Sequence, residues 1–334
     1  MSLSQLQLQQ QWQQHCRSSS SRVQQQQSTR RWQANCVHRA TKRQVSCKAV
    51  ANVQSPAAAT APTPGARDMS ASLTLPNIRS SLIRQEDSII FTLIERAQFA
   101  QNPLVYQPGG VEVPAYSKDG KQYSLMEYIL RETEQLHGKV RRYTSPDEHA
   151  FYPEELPAMV LPPLEYPSIL APAADAININ SQIMSIYLNS LLPAIAALGD
   201  DGNYGSAATL DVLALQALSK RIHYGKFVAE AKFRAKPEEY TALIKNQDAA
   251  ALMDLLTDRK VELAVVERVR LKAATFGQDV NPAAQQQQQQ DHQQQHEQVY
   301  KIEPDVLAKM YDDVVMPLTK DVQVAYLLRR LDHE

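Results

Sequence analysis

The sequence predicts an all-α fold, a helical bundle, behind a disordered N-terminal leader. Three observations point there. Only 10 of the 334 residues are glycine, which argues against turn-rich all-β and collagen-like chains. Apolar residues recur at helical spacing over long stretches, whereas strand-type alternation is scarce. Alanine, leucine, glutamine, glutamate and lysine, all good helix formers, are abundant. No apolar run approaches the ~18 residues that a membrane span needs, so no membrane partner is expected.

The leader comes first in chain order. Residues 1–67 hold Arg17, Arg22, Arg30, Arg31, Arg39, Lys42, Arg43, Lys48 and Arg67 but no Asp or Glu. The remaining 68–334 therefore carries 26 basic and 36 acidic residues. Thirteen glutamines crowd the first fifty positions beside serine runs such as Ser18 to Ser21. An acid-free, Ser- and Arg-rich leader has the composition of an organellar transit peptide. A basic tail touching nucleic acid or membrane is the alternative. A Pro/Ala/Thr linker, Ser55 to Gly65, then hands over to a differently composed chain. The expected division is 1–67, transit peptide and linker with cleavage near Val45-Ser46-Cys47, and 68–334, the folded domain. Cys16, Cys36, Cys47, Trp12 and Trp32 all fall in the leader. The body thus has no disulfide, no thiolate nucleophile and no cysteine metal site.

The first body helix is announced by Ile78, Leu82, Ile89, Leu93 and Ala97, with Pro76 suited to its first turn. Further helices are expected near 124–143, 178–198, 206–234, 248–276 and 304–331. Between them, Pro146 to Pro172 favours extended and turn conformations. Gln285–Gln290 and Gln293–Gln295 form a low-complexity tract with too little apolar surface to offset its ordering entropy. Residues 283–298 are therefore expected as a disordered surface insertion.

No P-loop, G-x-G-x-x-G, H-E-x-x-H or G-x-S-x-G occurs, and neither metal nor cofactor is expected. What remains is cationic and polar residues on helix faces. On a continuous helix through Leu218 to Phe233, Arg221 and Lys232 lie eleven positions apart, within roughly 20° of each other. Gly225 and Val228 sit between them, which makes a slot for a compact anion. A solvated basic stripe or ordinary ion pairs would read the same way. His223 and Glu230 point well away, so His223 is not expected to act as a base. Asp258 and Glu262 are one turn apart, as are Thr319 and Gln323, and Arg79 stands near the start of the first body helix. Such pairs are common on solvated helices. Geometry alone stops at an anion-binding helical bundle.

A resemblance carries the reading further. Pro76-Asn77-Ile78-Arg79, Glu86-Asp87-Ser88-Ile89-Ile90-Phe91 and Leu93-Ile94-Glu95-Arg96 resemble the opening of the eukaryotic, plant- and fungal-type chorismate mutases. So do Tyr166-Pro167-Ser168-Ile169-Leu170-Ala171-Pro172, the Arg221–Phe233 segment, and the close from Pro317-Leu318-Thr319 to Leu331. The resemblance covers about 70–334 apart from the glutamine insertion. It implies an all-helical homodimer that converts chorismate to prephenate by a sigmatropic rearrangement, in a plastid isoform. Such a reaction needs no nucleophile, metal or cofactor. Holding a dianion in a compact conformer and stabilising charge at the breaking ether would suffice.

By that resemblance, Arg79 and Arg221 take the two substrate carboxylates, which a planar guanidinium matches in bidentate fashion. Lys232 and Gln323 donate to the ether oxygen. Glu262, with backbone near Asp258, fixes the substrate hydroxyl, Thr319 supports the far side, and Val228 lines the site. Fungal members carry glutamate at the Gln323 position, which donates only when protonated; an amide donates at any pH. They also carry asparagine at the Asp258 position, so Asp258 is expected to contribute backbone contacts only. The resemblance further implies an effector site for tryptophan, tyrosine and phenylalanine at the dimer interface. Arg141, Arg142, Asn203, Gly205, Ser206 and Thr209 would form it, with helix-terminal N–H groups and an arginine receiving the effector carboxylate. An ordinary N-cap and a C-terminal arginine pair would look alike. Glu303 stands where some fungal members have a switch threonine, which leaves the direction of each response open. Two rivals remain: a catalytically silent helical dimer that binds aromatic amino acids, and a glutamine-driven scaffold.

Overall fold

The computed structural model describes residues 75–113, 120–162, 166, 169–278 and 300–332. The leader with its cysteines and tryptophans, the cleavage site and the insertion 283–298 lie outside the described residues. Ten α-helices of seven or more residues carry the described fold, with one further single-turn helix at Leu192–Ile195. The ten are α1 (Leu75–Arg96), α2 (Leu125–Lys139), α3 (Asn180–Ile186), α4 (Tyr204–His223), α5 (Gly225–Ala235), α6 (Pro237–Lys245), α7 (Ala249–Leu256), α8 (Arg259–Phe276), α9 (Pro304–Met310) and α10 (Met316–Leu328). Among the described residues β structure is confined to isolated bridge positions, one of which pairs Gln278 with Tyr300. No described helix is long and apolar enough to cross a membrane.

Local chemistry sets the boundaries. Ser124 and Glu127 close a capping box at the start of α2. Asp258 caps α8 by accepting from the Val261 N–H at 3.2 Å. Pro237 sits in the first turn of α6, and the preceding Lys236 is driven out of helical geometry. Two expected helices are therefore each broken. The 206–234 stretch starts at Tyr204 and divides at Tyr224, and the 248–276 stretch divides at Thr257-Asp258. Apolar periodicity runs through both breaks because both flanking helices bury the same face, so the pattern hides them. Two π turns, Tyr187–Leu191 after α3 and Tyr311–Val315 before α10, add a further departure from regular spacing. The segment from Pro146 to Pro172 holds only short turns among its described residues, as its prolines require.

The core is a continuous cluster to which α1, α2, α4, α7, α9 and α10 contribute, with Ile89, Leu93, Leu130, Leu215, Leu252, Leu307 and Val322 fully buried. α1 packs along α4, and α10 packs on both α5 and α7. Inside lies a polar knot. Arg96 pairs with Asp211 at 2.7 Å and donates to the carbonyls of Phe99, Ala100 and Gln101, while Tyr106 and Tyr187 donate to the same carboxylate. Every one of these partners is supplied by a neighbour, which is how a buried charge is tolerated.

Candidate active site

Gly225 decides how closely α5 approaches α10. A Cβ there would stand 2.7 Å from the Thr319 carbonyl oxygen, 3.1 Å from Thr319 Cγ2 and 3.4 Å from Gln323 Cγ. Any side chain there would force the two helices apart, so glycine places Thr319 and Gln323 against the face that carries Val228 and Lys232. Beside this contact opens a cavity of about 390 Å³. Arg79, Arg221, Val228, Lys232, Asp258, Glu262, Thr319 and Gln323 all line it. They arrive from α1, α4, α5, the α8 cap, α8 and α10. Arg221 and Lys232 lie on either side of the interruption at Tyr224, where the backbone keeps right-handed helical torsions, and both line the cavity together with Val228.

Arg221 is buried yet poorly satisfied. Its Nη1 donates to Thr319 Oγ1 at a long 3.4 Å, its Nη2 touches Met316 Sδ at 3.9 Å, and its Nε has no partner. Burial pulls its pKa down, against the raising influence of Tyr311 and Glu86. Such a cation is costly unless an anion completes it. Lys232 donates to the Leu256 carbonyl at 2.6 Å. Its pKa is also lowered, first by burial and then by Arg79 and Lys320, with Asp258 and Glu262 opposing. Gln323 donates through Nε2 to the Thr319 carbonyl at 3.3 Å, which leaves a second amide proton, and its buried Oε1 has no partner. The Asp258 side chain is spent on its capping bond. The cavity lining therefore joins five cations, Arg79, Arg221, Lys232, Arg268 and Lys320, with the Gln323 amide and two buried carboxylates, Glu86 and Glu262, around a volume suited to a small dianion.

Sequence reasoning did not find the ion pairs in the wall. Glu86 accepts from Arg268 Nε and Nη2 at 2.9 and 2.7 Å and from Lys272 at 3.2 Å. Glu262 is held by Lys320 at 3.0 Å and Arg259 at 3.3 Å. Glu86 and Arg268 are 182 positions apart, so no local spacing could have announced them. His223 and Glu230, set aside as catalytic candidates, are indeed committed elsewhere. His223 accepts from the Ile179 N–H at 3.0 Å and stacks on His149, while Glu230 accepts from Tyr326, Arg234 and Arg330.

The expected effector residues are not gathered in one place. Arg142 pairs with Glu148 at 3.0 Å, donates to Gln216 at 3.2 Å, and faces a second cavity with Arg84 and Lys220. Arg141, in left-handed backbone conformation at φ 71°, donates to the Pro162 carbonyl. Asn203, Gly205, Ser206 and Thr209 lie exposed at the start of α4 and line neither cavity. Asn203, rather than Ser206, occupies the N-cap position, without a side-chain capping bond.

Comparison with known proteins agrees with this architecture. A family model for chorismate mutase type II matches residues 203–324. Chorismate mutase 1, chloroplastic, of Arabidopsis thaliana is 53% identical over 265 residues, covering 79% of this chain and 76% of the relative. A chorismate mutase from Candida albicans, solved in complex with L-Trp, is 41% identical with a TM-score of 0.70, covering 78% of this chain and 93% of that one. Another, solved with tyrosine and separately with phenylalanine bound in its allosteric site, is 53% identical with a TM-score of 0.68, covering 79% and 99%. Family model, sequence identity and structural likeness thus agree, and the chain belongs to the chorismate mutase family.

Proposed function

We propose that the 390 Å³ cavity rearranges chorismate to prephenate and that Arg79, Arg221, Lys232, Glu262, Thr319 and Gln323 carry the reaction. One observation supports this above the others. Eight residues scattered between positions 79 and 323 line a single cavity, and among them is a buried guanidinium without adequate partners. Arg79 and Arg221 bind the two carboxylates. Glu262 accepts from the substrate hydroxyl, with Asp258 serving through its backbone. As the ether bond breaks, negative charge grows on its oxygen, and Lys232 and the free Gln323 proton stabilise it. Both donors are already in place, so little reorganisation accompanies the charge shift. The wall residues Val228, Leu82 and Val265 keep the dianion compact.

The relatives named chloroplastic and the acid-free leader make this a plastid member of the family. Regulation follows from Arg141, Arg142, Asn203, Gly205, Ser206 and Thr209. Along α4, Gln216, the partner of Arg142, lies ten residues or about 15 Å beyond Ser206. A homodimer in which one protomer offers its arginines to the start of α4 in its partner resolves that separation. Tryptophan, tyrosine and phenylalanine are the effectors, the same amino acids that the solved relatives bind. A silent binding protein would have no use for an ether donor, which speaks against that rival.

The test is turnover of chorismate by the purified protein beside Lys232→Ala, with and without millimolar tryptophan. Loss of an electrostatic donor of this kind lowers kcat by about 10²–10³-fold. A folded wild type that leaves chorismate untouched would end this reading. Tryptophan without effect on rate or cooperativity would end the regulatory part alone.

A further inference from the structure

The ion pairs around Glu262 extend beyond the cavity. Arg259, on the first turn of α8, reaches Glu262 Oε2 at 3.3 Å with Nη1 and clamps Asp312 in bidentate fashion at 2.5 and 2.8 Å. Asp312 belongs to the π turn Tyr311–Val315, which leads directly into the helix bearing Thr319 and Gln323. Lys320, on that same helix, holds the other oxygen, Glu262 Oε1, at 3.0 Å. Both carboxylate oxygens of Glu262 are thus tied to the α10 side of the cavity, one directly and one through a guanidinium that Asp312 orients. Arg259 and Asp312 do not themselves line the cavity.

We propose that the Asp312–Arg259 clamp is a positioning element for Glu262. It sets the rotamer of the carboxylate and holds the α8 wall at a constant distance from the Thr319–Gln323 wall. The inference rests on the reading of Glu262 as acceptor for the substrate hydroxyl. That contact exists equally in bound substrate and in the transition state, so loosening it raises KM and leaves kcat nearly unchanged.

The experiment compares wild type, Arg259→Met, Arg259→Lys, Asp312→Asn, Glu262→Gln and the Arg259→Met/Glu262→Gln double variant in steady-state chorismate turnover, with thermal midpoints as a check on folding. Arg259 is about half exposed, so its removal raises KM by roughly fivefold, the size expected of a solvent-screened charged contact. Asp312→Asn does the same, and Arg259→Lys recovers part of the loss. In the Glu262→Gln background, removing Arg259 adds less than about twofold, because the two residues act through one contact. Full additivity, or a fall confined to kcat, overturns the clamp. An unaltered Arg259→Met enzyme beside a Glu262→Gln enzyme with raised KM overturns the clamp alone. An unchanged KM in Glu262→Gln overturns the hydroxyl reading, and the clamp falls with it.

Discussion

Replacing Gly225 by alanine adds one methyl group at the closest approach of α5 and α10. The new Cβ would lie 2.7 Å from the Thr319 carbonyl oxygen, whereas ordinary contact begins at 3.4 Å. The obstacle is backbone, not the end of a flexible side chain, so one helix must withdraw by about 0.7 Å. Overpacking of this kind costs about 1–3 kcal/mol. Alanine recovers roughly 0.5–1 kcal/mol as the better helix residue. The net destabilisation is therefore modest, about 0–2.5 kcal/mol. Activity suffers more, because the displaced segment carries Thr319 and Gln323 together. A misplacement near 1 Å can lower rate by about 100-fold, so kcat/KM should fall at least tenfold. Chorismate turnover, read beside far-UV circular dichroism and the thermal midpoint, separates the two effects. Unchanged kcat/KM in a folded Gly225→Ala protein would refute the reasoning, as would a loss fully explained by unfolding.

Other outcomes follow from charge and titration. Wild-type kcat/KM should vary little between about pH 6 and 8, because an amide donor does not titrate. Gln323→Glu should decline as pH rises across about 5 to 8, since only the protonated acid donates; parallel profiles in the two proteins would contradict this. Lys226 is buried, donates to the Ala174 and Ile177 carbonyls at 2.7 and 2.6 Å, and has its pKa pushed down to about 8 by burial. In the unfolded chain it binds its proton up to about pH 10.4. The unfolded state thus holds more protons between these values, and this group's contribution to stability rises with pH from about 8 upwards. Denaturant titrations of wild type and Lys226→Met at pH 7 and 9.5 should show a difference that moves in favour of wild type at the higher pH; movement the other way would refute the assignment.

Much of the site was legible because its residues keep helical spacing to one another. Asp258 and Glu262 span the first turn of α8, Thr319 and Gln323 face one way on α10, and Gly225 stood out between two cations. Arg79 and Glu262 acquired roles only through the family resemblance, since their convergence with Arg221 and Lys232 is tertiary. The breaks at Tyr224 and Asp258 were missed for a physical reason. Apolar periodicity reports which face is buried, and both halves of each broken helix bury theirs in the same core. Glu86 with Arg268, and Arg259 with Asp312, were beyond sequence reasoning because pairing across such separations depends on the fold. The effector residues were recognised individually, yet one chain does not bring them together. No spacing rule could have shown that, because it depends on how α4 runs past the end of α2.

The central claim is that the cavity is built around a dianion at some expense to the fold, and Arg221 tests it most directly. Chorismate turnover and thermal midpoint are measured for wild type and Arg221→Met. The substitution removes a buried, poorly partnered cation and keeps most of its volume. The account predicts kcat/KM lower by at least about 100-fold, with a thermal midpoint unchanged or raised. Turnover that survives in a stable Arg221→Met protein would contradict it.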